Sequence, residues 1–406
     1  MVPVVSGTPP ACPDWLVQRL RERGGAVPFQ RYMDWALHDP HHGAYGAGRL
    51  RIGRDGDFVT SPSLGPDFAA LLAPQLADWL AALGTGALAL VEAGPGEGSL
   101  ALALAEALQR HWPELAGRTT LWLVEPNTGM AERQRRRLQG SPLPCRWTSW
   151  QELAAAPVRG VVLAHEVLDA LAVERIVWDG ALWRRQQVRL VEAGPTGAWL
   201  RLEPGEPLEP EALAQLAALG LEPPGDQRPP GWCSELHPGS GPWLQACAAA
   251  LADGPLLVID YALEAWRYYA PQRSAGTLLA YRGQRASPDP LLEPGAWDLT
   301  AHLCIDTLQH QARAAGWQVL GQCRQGEALL ALGLAERLHG LQQAPEAGEA
   351  SGLAELLERR EGLLRLVDPH TLGDFRWLAF SRGAMATPRF LLPPDPGSWA
   401  TRQTPA

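Results

Sequence analysis

The chain has 406 residues, 46% of them hydrophobic and 19% charged, and it carries a formal net charge of −9. That length points to two or three domains, or to one large domain with insertions, and it is enough to bury a core without disulfide or metal staples. The composition excludes a disordered chain, collagen and a coiled coil, and with no dominant basic face it argues against nucleic acid as the main partner.

Residues 1–13 are rich in proline and read as a frayed tail, as do residues 386–406. Residues 14–85 read as an N-terminal helical region, interrupted by a glycine-rich loop, HHGAYGAGRLRIGRDGDFVTSPS. Residues 86–190 alternate strand and helix. Strands are predicted at 87–94, 119–126 and 159–166, helices at 99–112 and 130–138, and a hairpin at 174–190 that turns at Asp179-Gly180. Residues 191–253 are looser and proline-rich, with a helix at 210–219, and read as an insertion. Residues 254–385 return to the pattern, with strands at 254–261, 317–324 and 374–382 and helices at 302–316, 327–341 and 352–366. Strands alternating with helices predict an α/β fold with a parallel sheet covered on both faces, completed only after position 254.

The basic residues are all arginine; the sequence has no lysine. This excludes a P-loop, whose lysine contacts phosphate, and any Schiff base on lysine. The six cysteines are scattered, with no C-x-x-C pair and no histidine at zinc-ligand spacing. No metal site is therefore expected, and the thiols fit a reducing, cytoplasmic setting. The N-terminal segment lacks the basic and apolar regions of a signal peptide, and no run of 18 apolar residues predicts a membrane span.

Four segments carry chemistry. The first is Glu92-Ala93-Gly94-Pro95-Gly96-Glu97-Gly98-Ser99, between a predicted strand and a predicted helix. Glycines there permit a tight turn and a close approach to ligand, beside the free N–H groups of a helix start. The dinucleotide fingerprint needs its third glycine at position 99, which is Ser99, so a nicotinamide dehydrogenase is disfavoured. Glu92, two residues ahead of Gly94, suits the ammonium of an amino acid better than a pyrophosphate. The second is Glu125, at the end of the next strand, where a carboxylate accepts hydrogen bonds from ribose hydroxyls. A nucleoside bearing an amino acid and no phosphate is S-adenosyl-L-methionine. The third is His165-Glu166-Val167-Leu168-Asp169 at the end of a strand, where Glu166 and Asp169 could fork onto a guanidinium and activate its nitrogen. His165 is open between a base and a structural histidine. The fourth is the polar loop Gly56 to Pro62, whose Thr60 and Ser61 could cover a cofactor or simply cap a turn.

In that order, these segments resemble the MidA-like family, that of the mitochondrial complex I assembly methyltransferase, a class I S-adenosylmethionine-dependent protein arginine methyltransferase. The matching stretches include PFQRYMDWALHDPHHGAYGAG (28–48), GDFVTSPSLGPDFAALLAPQL (56–76), VEAGPGEGSLALALAEAL (91–108), LVEPNTGMAERQRRRL (123–138), HEVLDALAVERIV (165–177), LLVIDYA (256–262) and RSAGTLLAYRGQRASPDPLLEPGAWDLTAHLCIDTL (273–308). The last, with its Gly-Thr, Tyr-Arg, Pro-Gly and Asp-Leu-Thr-Ala-His in fixed order, is the most distinctive. The resemblance spans roughly residues 28–385 and implies a Rossmann-like class I methyltransferase sheet with a helical N-terminal region and an inserted, helical subdomain.

It further implies that Gly94, Gly96 and Gly98 cradle the methionine portion, that Glu125 binds the ribose, and that Glu166 and Asp169 lie near the methyl group. Thr60, Ser61 and Pro62 are implied to line the same site, and Trp147 to sit near the adenine. The chain departs from the family pattern at His165, Ala172, Ala262, Gln284 and Ala69, where the family has Asn, Pro, Gly, His and Gly. The function implied is arginine methylation of a protein, a subunit of a complex I or NDH-1-like complex during its assembly. Two other readings stay open: a cofactor-binding assembly factor with little or no turnover, and a methyltransferase for a small molecule. The sequence does not fix the oligomeric state.

Overall fold

In the computed structural model, residues 10–50, 53, 56–57, 59–192, 197–221, 227–343 and 350–393 are described; Phe58 of the polar loop, both chain ends and short parts of 191–253 lie outside them. The chain divides into two compact units. One comprises Ile52–Leu168, Gly241–Ala262 and Leu308–Ala406, and the other comprises Met1–Arg51, Asp169–Ser240 and Leu263–Thr307.

The first unit is built on a seven-stranded sheet. Its strands, in chain order, are β1 (Leu88–Ala93), β2 (Thr119–Val124), β3 (Cys145–Thr148), β4 (Val158–His165), β5 (Leu251–Asp260), β6 (Gln318–Arg324) and β7 (Arg376–Arg382). Across the sheet the order is 3-2-1-4-5-7-6. β1 to β5 run parallel, and β7 is antiparallel to both β5 and β6. This is the doubly wound, Rossmann-like sheet expected, with an antiparallel strand slotted in near one edge. The order reverses between β1 and β4, and a crevice beyond the carboxyl ends of the strands at such a switch point is where ligands bind in open α/β sheets.

Covered faces explain the sequence of these strands. β1 is buried along its whole length and reads as an unbroken apolar run apart from Glu92. The helix Ser99–His111 buries Leu100, Ala101, Leu104, Ala105 and Leu108, one stripe at helical spacing. Together with Phe68, Leu72, Leu76 and Leu80 of the helix Asp67–Ala82 it packs on Leu90, Leu121, Leu123, Val161, Leu163, Leu257 and Ile259 of the sheet. β3 has no counterpart among the predicted strands: at four residues, with a partly exposed burial pattern, it gives too short an alternation to read.

The second unit contains the helices Asp14–Glu22 and Phe29–His38 and a five-stranded sheet of Ala26–Pro28, Glu174–Trp178, Trp183–Glu192, Ala198–Pro207 and Cys233–Leu236. The expected hairpin forms, with Trp178 opposite Trp183 and a turn at Asp179–Leu182. Its partner is not β4, however. Trp183–Glu192 pairs with Ala198–Pro207, so the boundary falls at 168/169 rather than at 190/191, and the looser stretch after 191 contributes two strands. Pro204, Gly205 and Pro207 hide the strand in the sequence; an edge position tolerates them because no ladder N–H is needed there. A three-stranded sheet, Leu279–Arg282, Arg285–Ser287 and Asp298–Thr300, completes this unit. Among the described residues no helix is long and apolar enough to cross a membrane.

Candidate functional site

β1 ends at Ala93, and the chain turns at once through Gly94 (φ 57°), Gly96 (φ 54°) and Gly98 (φ 78°) into the helix Ser99–His111. Left-handed backbone at three positions within five residues is what restricts this turn to glycine. At Gly94 a second constraint applies: a Cβ there would stand 3.1 Å from Val167 Cγ2. The loop is pinned to the sheet by the Gly94 N–H, which donates to the Val124 carbonyl at 3.0 Å.

Glu92 lies two residues ahead. It is 4% exposed, and its Oε2 is buried without a hydrogen-bond partner. Burial alone pushes its carboxyl up to about 8. A buried carboxylate next to a glycine turn is costly unless a cation or a donor completes it.

Glu125 follows β2. Its Oε1 accepts the Asn127 N–H at 2.8 Å, and its Oε2 accepts Gln134 Nε2 at 3.0 Å. Burial raises its carboxyl above the usual range, against the lowering effect of those bonds and of Arg133. Gln134 comes from the helix Thr128–Arg137 and is fully buried. Its Nε2 also donates to the Gly96 carbonyl at 2.9 Å, and its Oε1 accepts the Trp147 indole N–H at 3.0 Å. One amide therefore ties the glycine turn, the acid after β2 and the tryptophan of β3 together. The guanidinium of Arg135 covers Trp147, 4.9 Å from the ring centroid, and Trp147 and Thr148 line an open cleft of about 480 Å³ along β3.

β4 ends at His165. The ring packs edge-on to Phe68 (centroids 5.3 Å apart) and lies 6.3 Å from Phe375. Burial pushes it down to about 3, so it is neutral, with Nδ1 3.3 Å from Glu166 Oε1. An aromatic-walled, neutral imidazole favours the structural over the basic role. Glu166 itself adopts φ 52°, an uncommon conformation for a residue with a Cβ, and its N–H donates to the Ile259 carbonyl at 2.8 Å. The next two N–H groups, of Val167 and Leu168, donate to Asp260 Oδ2 at 3.3 and 3.0 Å, and Asp260 Oδ1 accepts the Tyr261 N–H at 2.8 Å. The strained segment after β4 is thus held by the fully buried carboxylate at the end of β5.

The structure brings Gly94, Gly96, Gly98, Glu125 and Trp147 together through Gln134, and sets Val167, beside Glu166, against Gly94. Thr60, Ser61 and Pro62 begin a 3-10 turn, Ser61–Leu64, that packs on the helices Asp67–Ala82, Ser99–His111 and Ala350–Leu366. The Ser61 hydroxyl is buried and engaged with Gln325, which also donates to the Leu366 carbonyl and accepts the Trp377 indole N–H. Its described contacts anchor the loop. Asp169 begins the second segment of the second unit. It is 4% exposed, burial pushes its carboxyl up to about 7, and its carbonyl accepts the Ala301 N–H at 3.1 Å; burial first, then the nearby Asp169 and Asp298, raises the Tyr281 hydroxyl.

Gln134 and Asp260 lie in the matching stretches 123–138 and 256–262, but the sequence assigns neither a role. The one available signal for Gln134 is that it interrupts a run of arginines as the only uncharged polar side chain, at a position where the helix must turn inward.

A family model described as an S-adenosyl-L-methionine-dependent methyltransferase matches residues 71–323. The chain is 27% identical over 389 residues to a protein of Drosophila melanogaster named protein arginine methyltransferase NDUFAF7 homolog, mitochondrial, spanning 89% of this chain and 83% of that one. It is 26% identical to the mitochondrial protein arginine methyltransferase NDUFAF7 of Danio rerio, over 86% of this chain and 82% of that one. Among solved structures, a Burkholderia thailandensis protein bound to S-adenosyl-homocysteine superposes over 95% of both chains with a TM-score of 0.81 and 29% identity. The residues fit that group: an incomplete buried carboxylate at Glu92 suits an ammonium, the glycine turn suits close approach, and Glu125 suits ribose hydroxyls.

Proposed function

The chain belongs to the S-adenosyl-L-methionine-dependent methyltransferase family, and from that premise we propose that it methylates arginine in a protein, a subunit of a complex I or NDH-1-like assembly. The observation that carries the arginine step is similarity, over nearly nine-tenths of the chain, to proteins named protein arginine methyltransferases. The assembly role rests on the sequence resemblance.

When bound, S-adenosyl-L-methionine supplies an electrophilic methyl group on a sulfonium. Glu92, Gly94, Gly96, Gly98, Glu125 and, through the Arg135-covered ring, Trp147 are the residues proposed to hold it, with Gln134 keeping Glu125 in place. Glu166 is proposed to accept guanidinium N–H groups; paired, charge-assisted bonds fix the side chain and raise electron density on the attacking nitrogen. Its left-handed backbone, held by Ile259 and next to the Asp260 clamp, gives that carboxylate a defined direction. Asp169, three residues on, is proposed for the same role. The chain then has little else to do than align nucleophile and methyl.

The test is methyl transfer from radiolabelled S-adenosyl-L-methionine to the purified hydrophilic subunits of an NADH-dehydrogenase-type complex, followed by acid hydrolysis and mass spectrometry. Methylarginine that disappears with Glu166→Gln supports the reading. Label on another residue type, or no label on protein while binding persists, overturns it in favour of a different acceptor or a non-catalytic assembly factor.

A further inference from the structure

The second unit holds a buried polar network outside the cofactor site. Glu235 is 0% exposed. Its Oε2 accepts the Thr277 N–H at 2.8 Å and the Thr277 hydroxyl at 3.1 Å, with the Tyr268 hydroxyl 3.4 Å away. Its Oε1 faces Arg175 Nε at 3.6 Å. Arg175 is itself fixed, donating to Gln186 at 3.0 Å and to the Ala275 carbonyl at 2.9 Å. The Tyr268 hydroxyl continues to His237 Nε2 at 3.1 Å. Gly276 lets the backbone come this close: a Cβ there would stand 2.0 Å from Glu235 Oε1, and its φ is 77°. The Gly-Thr of the sequence has its physical reason here.

The network has a direction. Thr277 has one hydroxyl proton with two acceptors in reach, Glu235 Oε2 at 3.1 Å and the Tyr268 hydroxyl at 3.3 Å; the carboxylate facing Arg175 is the stronger acceptor, and the Thr277 lone pairs remain to accept. Thr277 Oγ1 accepts the His302 N–H at 3.1 Å, and the His302 backbone also meets the His237 ring. The neighbouring Ala301 N–H donates to the carbonyl of Asp169 at 3.1 Å. A short relay thus runs from a buried ion pair, through one hydroxyl and two consecutive peptide groups, to the backbone of Asp169. A fully apolar filling of the same volume would serve stability as well. It would not fix the 301–302 peptides.

We propose that Thr277, anchored by Glu235, is a positioning residue that sets the backbone of Asp169 through His302 and Ala301. The inference rests on the reading of Asp169 as a carboxylate that holds the substrate. Thr277→Val removes the hydroxyl at constant shape, Thr277→Ala removes it without an added methyl should valine fail to fold, and Thr277→Ser restores it.

Two readouts on the full-length protein test this without any substrate. In hydrogen exchange, valine is expected to speed the Ala301 and His302 amides at least tenfold and to leave the glycine-turn peptide 91–99 within twofold of the parent. In carboxyl NMR of ¹³C-aspartate protein, with the signal assigned by its absence in Asp169→Asn, valine is expected to move the Asp169 titration towards that of an ordinary carboxylate. Serine is expected to match the parent in both. Unchanged amides and an unchanged Asp169 signal in the valine variant would overturn the proposal, as would a serine variant that behaves like valine, or exchange that rises equally throughout 174–192. Failure of methyl transfer to protein would overturn the substrate reading and leave these two readouts standing.

Discussion

Gln134 Nε2 lies 3.0 Å from Glu125 Oε2 and 2.9 Å from the Gly96 carbonyl, so a single side-chain amide joins the two segments proposed to recognise the two ends of one ligand. Gln134→Leu leaves Glu125 buried without that donor, and a lost hydrogen bond to a charged group costs about 1.5–3 kcal/mol. Loss of these bonds is expected to lower the thermal midpoint of the ligand-free protein, and the misplaced Glu125 to lower affinity for S-adenosyl-L-methionine roughly 10- to 100-fold. Calorimetric titration of the variant checks this.

Gly94→Ala places a Cβ 3.1 Å from Val167 in a backbone that disfavours it. The left-handed conformation costs about 1–2 kcal/mol for a residue with a side chain. Gly140→Ala, with φ 88° and open space around its Cβ, carries the same kind of strain away from the site. Both variants are expected to lower the thermal midpoint, and only Gly94→Ala to weaken cofactor binding.

Glu92 gives the ligand-free protein a pH dependence of defined sign. The native state keeps its proton up to about 8, and the unfolded chain releases it near 4.5. Between these values the native state binds more protons, so unfolding free energy falls as pH rises. Glu92→Gln is expected to flatten the decline in thermal midpoint between pH 5 and 8. At pH 7 an ammonium arriving beside Glu92 should expel its proton. Calorimetry in buffers of different ionisation enthalpy is expected to show proton release on cofactor binding, reduced in the Gln variant.

Asp260→Ala removes the acceptor for the Val167, Leu168 and Tyr261 N–H groups. Leaving buried donors unmet costs about 1–3 kcal/mol. Denaturant unfolding is expected to show that loss, with faster hydrogen exchange at Val167 and Leu168 and cofactor affinity within a few-fold of the parent.

The sheet was legible because its strands are buried on both faces and bounded by glycine and helix signals: the predicted runs at 87–94, 119–126 and 159–166 each contain the observed strand to within a residue or two. Glycine spacing and Glu125 were legible for the same local reason. The short edge strand β3 and the proline-bearing strand Ala198–Pro207 were not, because pairing in the sheet, rather than propensity, makes them strands. Gln134 and Asp260 act across 38 and 92 positions of chain, a distance no local pattern encodes. The reach of the relay from Glu235 to Asp169 is likewise a product of topology.

The most direct measurement is calorimetric titration of the parent protein, Gly96→Val and Gln134→Leu with S-adenosyl-L-methionine, with NADH as the control ligand. Saturable binding by the parent, weakened at least tenfold in both variants and absent for NADH, is the result this account predicts. No binding by the parent at millimolar ligand, or undiminished binding by both variants, would contradict it.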